Sequence, residues 1–174
     1  MVMTVNEPTF TYVTRLPSPL GEITLSSDGE ALTGLWLEGQ RFFARTLPAT
    51  AVEQALPVFE KTKQWLDIYF CGEEPGDAPP IRCSGTPFQR TVWSMLRTIP
   101  YGKTQSYGEL ARRISEESGR ASVSARAVGG AVARNPVAIL IPCHRVLGAN
   151  AALTGYAGGL DRKLWLLKLE RAAL

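Results

Sequence analysis

Ile141-Pro142-Cys143-His144-Arg145-Val146 is the stretch on which the reading of this chain turns. It sets a cysteine directly beside the only histidine of 174 residues, inside an apolar run bounded by prolines. A thiol is a competent nucleophile only as the thiolate, and a neighbouring imidazole is a common means of generating one. Pro142 biases Ile141 towards extended backbone. If Cys143 and His144 are extended as well, their side chains point to opposite faces. Contact between thiol and ring then needs a turn or a bridging water. A structural cysteine beside a polar histidine is the alternative on spacing alone.

Outward from this motif, Val137–Ile141 is a short apolar run that leads into it. Before that, residues 124–134 predict a helix rich in small residues (Ala125, Ala127, Gly129, Gly130, Ala131, Ala133) and stopped by Asn135-Pro136. Each glycine weakens such a helix by about 1 kcal/mol relative to alanine, which makes sense if another backbone comes close to that face. Arg126 either enters a DNA groove or is a surface arginine; Asn135 stops the helix and is placed to orient the cysteine loop. After the motif, residues 160–169 predict a helix with Leu160, Leu164, Trp165 and Leu167 inward. Glu170 follows it, and a carboxylate at a helix C-terminus opposes the macrodipole by about 0.3–1 kcal/mol. It is either a frayed surface residue or the orienting partner that an imidazole base requires. Tyr107 and Tyr156 are stacking or proton-donating phenols, or core residues.

Upstream, Thr86-Pro87-Phe88-Gln89 reads as a capping box with proline at the first helical position. The helix it opens runs to about Thr98, and Tyr101-Gly102 turns the chain. Ser106 caps a second helix to about Ile114, with 115–122 as polar loop; this helix and the small-residue one resemble a helix-turn-helix. In the first half, 10–15, 23–26 and 32–37 predict strands, with Asp28-Gly29 as a hairpin signal. Residues 51–70 carry apolar positions at helical spacing, closed by Cys71-Gly72. The proline-, glycine- and acid-rich stretch 72–82 predicts a surface linker between a unit over 1–82 and one over 83–174.

Hydrophobic residues make up 45% of the chain, enough for a packed interior. There is neither a secretory signal pattern nor an apolar run of the roughly 20 residues that span a bilayer, which predicts a soluble, cytoplasmic protein. Cys71, Cys83 and Cys143 fit neither a disulfide framework nor a zinc box, so reduced thiols and no metal are expected. Residues 1–82 hold six Lys/Arg against eleven Asp/Glu, and 83–174 hold thirteen against five. An acidic first half and a basic second half predict two modules, the second facing a polyanion.

The hexapeptide, with Thr86–Trp93, Ile99–Gly102, Ser106–Leu110, Ala125–Gly130, Asn135-Pro136 and Thr154–Gly159 in the same order, resembles the O6-alkylguanine-DNA alkyltransferases. The likeness is strong over about 84–170, and Ser18-Pro19-Leu20-Gly21 is its best feature upstream. It implies an α+β/α chain: a small ribonuclease H-like sheet-plus-helix domain, then a winged helix-turn-helix-like domain. It implies repair by direct reversal, with the alkyl group moving from guanine O6 (and thymine O4) to Cys143, once per molecule and without cofactor. His144 would deprotonate Cys143 through a water, Glu170 would orient the ring, Asn135 would position the segment, and Tyr107 would protonate guanine N3. The binding set it implies is Arg126, which fills the stack vacated by a flipped base, with Ala125, Ala127, Gly130, Tyr156, Ala157, Val146 and Gln89. The expected partner is double-stranded DNA held through its minor groove, with no membrane, no obligatory protein partner, a monomeric state and a place at the nucleoid of a prokaryote. The stretch 111–124 is about five residues longer than the pattern, and Ala157 stands where some members carry serine. A non-catalytic damage sensor and a Cys-His hydrolase with turnover are the competing readings.

Overall fold

The computed structural model describes residues 10–119 and 122–173. Strand β1 (Tyr12–Leu16) turns through Ser18–Gly21 into β2 (Ile23–Ser27), which pairs antiparallel with β3 (Leu32–Leu37). The first turn is held by the Ser18 hydroxyl, which donates to Gly21 O at 2.6 Å and accepts from Leu20 N at 3.1 Å. At the second, Asp28 Oδ1 accepts the amides of Glu30 and Ala31 at 3.0 and 2.9 Å, the carboxylate turn that the Asp-Gly pair predicts. A two-residue strand β4 (Val52–Glu53) adds parallel to β1, giving the order β3-β2-β1-β4.

Helix α1 spans Pro57–Phe70 and not 51–70. The six residues before it go to the sheet edge instead: Val52 N donates to Thr11 O at 2.9 Å, and the Val52 side chain is exposed. Proline at position 57 supplies the helix start, because its missing N–H is one no helix can use there. Val58, Phe59, Leu66 and Tyr69 are its buried apolar positions. The predicted surface linker is also tied down at its far end, where Leu32 N donates to Pro80 O and Arg82 N to Leu32 O, both at 2.8 Å. β3 is therefore bordered by chain from both halves, since its Leu35 also exchanges bonds with Pro136 and Ala138 at 2.8 and 3.0 Å. One continuous apolar core joins the sheet, α1 and the later helices.

The second half is helical. The capping box forms as the sequence predicts: Thr86 Oγ1 accepts from Gln89 N at 3.2 Å and Gln89 Oε1 from Thr86 N at 2.9 Å, opening α2 (Pro87–Leu96). The two-residue strand β5 (Gln105–Ser106) precedes α3 (Tyr107–Ser118), which has its own capping box between Ser106 and Glu109. α3 continues through residues expected to be loop. Arg112–Glu116 and Arg113–Glu117 ion pairs lie four residues apart along it, and Gly119 closes it at φ 65°. Helix α4 (Ala125–Ala133) is capped by Ser124 and packs on both α2 and α3. A 3₁₀ turn, Cys143–Arg145, runs into β6 (Val146–Leu147), which pairs parallel with β5; helix α5 (Leu160–Leu169) is the last element of the described residues. The inward face of α5 is Lys163, Leu166 and Leu167, whereas Leu160 and Trp165, both predicted inward, are 45% and 37% exposed. Among the described residues no helix is long and apolar enough to cross a membrane.

Candidate active site

The backbone from Asn135 to Arg145 is bent by local constraints that the sequence shows only in part. Ile139 sits at φ 69° between Ala138 O and Leu140 N, which are 2.8 Å apart. A β-branched residue in that region is an outlier, and such strain persists only where the surroundings impose it. Pro142, at φ −80° and ψ 65°, makes an inverse γ-turn that closes Cys143 N onto Ile141 O at 2.8 Å. Asn135 spans the bend: its Nδ2 donates to Ile141 O at 2.8 Å and its Oδ1 accepts from Val137 N at 3.0 Å. Cys143 and His144 therefore lie in a tight turn and not in extended backbone.

Cys143 is buried at the foot of a cavity of about 210 Å³, walled by Gly129, Val132 and Ala133 of α4, by Tyr107, and by Tyr156 and Ala157. Arg41 reaches its rim, and the Arg41 amide donates to Ala157 O at 2.8 Å. The parallel pair β5–β6 brings Tyr107, first residue of α3, alongside the cysteine turn. The Tyr107 hydroxyl donates to Gly155 O at 3.2 Å, and burial pushes its pKa to about 12. Burial also raises the Cys143 thiol, against the pull of Asn135, the Lys163 charge and the amides of Cys143 and His144. A thiol so placed rests protonated at neutral pH and needs a base.

His144 is that base's natural candidate. Its Nε2 lies 2.7 Å from Glu170 Oε1 and 3.3 Å from the Tyr69 hydroxyl. Its Nδ1 is buried and has no hydrogen-bond partner among the described residues. Burial lowers the pKa of His144, so the ring is neutral at pH 7, with its proton on the nitrogen that faces the carboxylate. Glu170 is not a frayed terminus: it is the C-cap of α5 and 3% exposed. Burial alone would raise its pKa, but hydrogen bonds from His144 and Arg145 and the guanidinium charge bring it down to about 2. Arg145 donates Nε to Oε2 at 2.9 Å and Nη2 to Oε1 at 3.0 Å, and Gly102 N donates to Oε2 at 3.1 Å. Gly102 is required there, with φ 69° and space for a Cβ only 2.9 Å from Glu170 O.

The structure thus lines one cavity with Tyr107, Cys143, Tyr156 and Ala157, and sets Asn135, His144 and Glu170 outside that lining, in and against the cysteine turn. Ala125, Arg126 and Ala127 are exposed on α4, with Gly130 half-buried further along it. Among the described residues no backbone from outside the helix comes within 4 Å of a Cβ placed on either α4 glycine; on Gly129 it would meet the Tyr107 ring at 3.8 Å, and on Gly130 the Arg134 side chain at 3.7 Å. Two expected binding residues lie elsewhere. Gln89 is engaged in the α2 capping box and borders a different cavity with Trp36, Arg45 and Arg134. Val146 is fully buried in β6 and offers only its carbonyl, which accepts from Lys163 Nζ at 2.5 Å. Tyr69, Arg145 and Lys163 were not singled out from the sequence. Lys163 is buried, donates also to Thr154 O and Gly155 O at 2.6 and 3.0 Å, and is drawn down to about 8 by burial. Of the other thiols, Cys71 is exposed and Cys83 is pushed up to about 11 by burial. Among the described residues no group of three His, Cys, Asp or Glu side chains is placed to hold a metal ion.

Fold and site together define a cysteine-dependent group acceptor: a buried thiol, a neutral imidazole braced by a carboxylate, and a cavity beside a helix whose first turn, Ala125–Ala127, is exposed. Comparison with known proteins agrees. Residues 11–75 match the 6-O-methylguanine DNA methyltransferase ribonuclease-like domain, and residues 87–172 match the DNA binding domain of the same proteins. Methylated-DNA–protein-cysteine methyltransferases of Haemophilus influenzae and Mycobacterium leprae are 43% and 44% identical, over 92% and 90% of this chain and 86% and 90% of theirs. The crystal structure of Mycobacterium tuberculosis OGT in complex with DNA superposes with a TM-score of 0.80 at 42% identity, covering 92% of each chain. The chain belongs to the 6-O-methylguanine DNA methyltransferase family.

Proposed function

We propose that Cys143 is the acceptor through which this chain carries out the activity of its family, DNA repair by direct damage reversal as a methylated-DNA–protein-cysteine methyltransferase. The observation that carries the assignment is the cavity: Cys143 opens onto it next to a neutral histidine whose Nδ1 has no hydrogen-bond partner among the described residues, whereas Cys83, on a second cavity with Ile81 and Arg97, has no histidine next to it, His144 being the chain's one histidine. His144 takes the thiol proton through a bridging water, and ionised Glu170 stabilises the imidazolium that forms. The sulfur attacks the alkyl carbon as the carbon–O6 bond breaks, and a proton from Tyr107 reaches guanine N3, so the base leaves neutral. Tyr107 is suited to this, since its raised pKa keeps it protonated at neutral pH. The thioether has no route back, so each molecule acts once, on O6-alkylguanine and also on O4-alkylthymine.

A base inside a duplex cannot reach a buried thiol and must be flipped, at a cost of a few kcal/mol. The exposed Arg126 fills the gap, and the small residues Ala125, Ala127 and Gly130 let α4 lie close to the minor groove of double-stranded DNA. Ala157 offers its amide to O6, and Tyr156 lines the pocket. In this reading 1–82 form a ribonuclease H-like domain ending in a linker at about 72–82, and 83–174 a winged helix-turn-helix-like domain in which α3 and α4 are the helix pair. The protein acts as a monomer at the nucleoid, in the cytoplasm, without an obligatory protein partner. Incubation with duplex DNA labelled on O6-methylguanine tests the proposal. One equivalent of label should appear on the peptide containing Cys143, and none with Cys143→Ala. Label that stays on DNA favours a damage sensor, and product that exceeds the protein concentration favours a hydrolase.

A further inference from the structure

We infer that Tyr69, on the helix of the N-terminal half, is a positioning residue for alkyl transfer that holds His144 in the tautomer whose Nδ1 accepts the Cys143 proton. The inference rests on the assignment of Cys143 and His144 above. Tyr69 lies in the last turn of α1 and is 0% exposed, and nothing in the chemistry so far uses it. Its hydroxyl donates to Glu170 Oε1 at 2.6 Å. That commits the phenol proton, so the side of the oxygen turned to His144 Nε2, 3.3 Å away, presents lone pairs. Nε2 thus faces two acceptors, a carboxylate oxygen from the C-terminal helix and a phenol oxygen from the N-terminal one. A proton on Nε2 satisfies both. The opposite tautomer would turn the Nε2 lone pair onto two oxygen lone pairs in a site sealed from water, where such repulsion is costly. The Tyr69 ring also meets the imidazole edge-on, with centroids 6.5 Å apart and planes at 69°, which limits rotation of the ring.

Oε1 would be a looser partner without Tyr69. It accepts from Tyr69, His144 and Arg145, while Oε2 is held by Arg145 and Gly102. Removing the phenol leaves the carboxylate anchored on its Arg145 side and freer on the side that orients the ring. The role of α1 is then more than packing: it closes the acceptor pair that selects the base.

The chain has one histidine, so the imidazole ¹⁵N resonances report on His144 alone. Tyr69→Phe removes one oxygen and keeps the ring. The single-turnover rate on a duplex carrying O6-methylguanine should fall about tenfold, the size expected for one hydrogen bond to a charged group, with DNA affinity unchanged. The ¹⁵N spectrum should change from one Nε2–H form to a mixture of tautomers. Tyr101→Phe is the control, because the buried Tyr101 hydroxyl has no hydrogen-bond partner among the described residues, and both readouts should stay as in the unmodified chain. Should Tyr69→Phe fail to fold, 3,5-difluorotyrosine placed at position 69 keeps the packing, and its more acidic phenol should move the Nε2 proton resonance. A Tyr69→Phe rate or imidazole spectrum equal to that of the unmodified chain overturns the inference, even if the variant melts earlier, as does an unmoved resonance with the fluorinated residue. An unmodified chain that accepts no methyl group instead refutes the assignment of Cys143.

Discussion

Glu170→Gln is the perturbation with the largest structural consequence. Glu170 accepts five hydrogen bonds and is the counter-charge of Arg145, whose guanidinium also donates to Ile99 O at 2.6 Å and lies over the Tyr101 ring. The substitution leaves that guanidinium buried beside an amide, and breaking a buried pair from one side costs about 3–5 kcal/mol. Acid tests the same carboxylate. Its pKa is about 2 against an ordinary 4.5, a difference worth about 3 kcal/mol of stability at neutral pH. Because the folded value is the lower one, that contribution is full above about pH 5 and fades as pH falls towards 2. His144 adds in the same direction: its folded pKa lies below 6.5, so acidification below that value favours the unfolded chain. Urea unfolding at pH 7, 5 and 3, followed through the four tryptophans, measures both effects. At pH 7 the variant should lose about 3–5 kcal/mol. Between pH 5 and 3 it should lose less stability than the unmodified chain, since the carboxylate is gone and only His144 and ordinary surface acids titrate. A loss below 1 kcal/mol at pH 7, or an unaltered acid slope, refutes the view of Glu170 as the ionised hub of the site.

Three further outcomes follow from the geometry. Arg126→Ala, on the exposed face of α4, should slow repair of duplex O6-methylguanine about tenfold while leaving reaction with free O6-benzylguanine within twofold; equal losses on both would contradict a role in flipping. Asn135→Ala deletes the two bonds that span the cysteine turn, at about 1 kcal/mol each, and should lower the melting temperature by roughly 4–8 °C in calorimetry; an unchanged melt would mean the turn holds itself. Gly155→Ala puts a Cβ 3.2 Å from the Tyr107 hydroxyl at a residue with φ 54°, and should cost about 1–3 kcal/mol and slow transfer; wild-type kinetics would show that the rim yields freely.

What the sequence made legible follows a physical line. The Thr86–Gln89 capping box, the Asp-Gly turn, the Ser106 cap and the small-residue helix are local, and each forms where its residues predict. The misreadings occur where a partner lies far along the chain. α5 shows this best. Its inward positions 163, 166, 167 and 170 keep the helical spacing, but two of them carry charges. Read by hydropathy, Lys163 and Glu170 belong to the solvent face, and Leu160 and Trp165 fill their places. Folded, three backbone carbonyls satisfy the ammonium, and Arg145, Tyr69, His144 and Gly102 satisfy the carboxylate. The 115–118 turn of α3 is the exception, since its partners are local: Ser115 and Ser118 return their hydroxyls to the carbonyls of Ala111 and Ile114, four residues back, and need no loop. Tyr69 is the converse case: the helical spacing over 51–70 admits either it or Phe70 as a core position, and Tyr69 is buried there with a hydroxyl that reaches the other half of the chain. In each of these three positions of the site (Tyr69, Lys163, Glu170) a polar atom is buried against the local pattern and satisfied from a distance. Such positions are where a sequence departs from its own periodicity for the sake of a site. Lys163, seven residues before Glu170 on an otherwise leucine-rich helix, was therefore the pointer that hydropathy hid, whereas Glu170 was legible from the need of an imidazole base for a carboxylate.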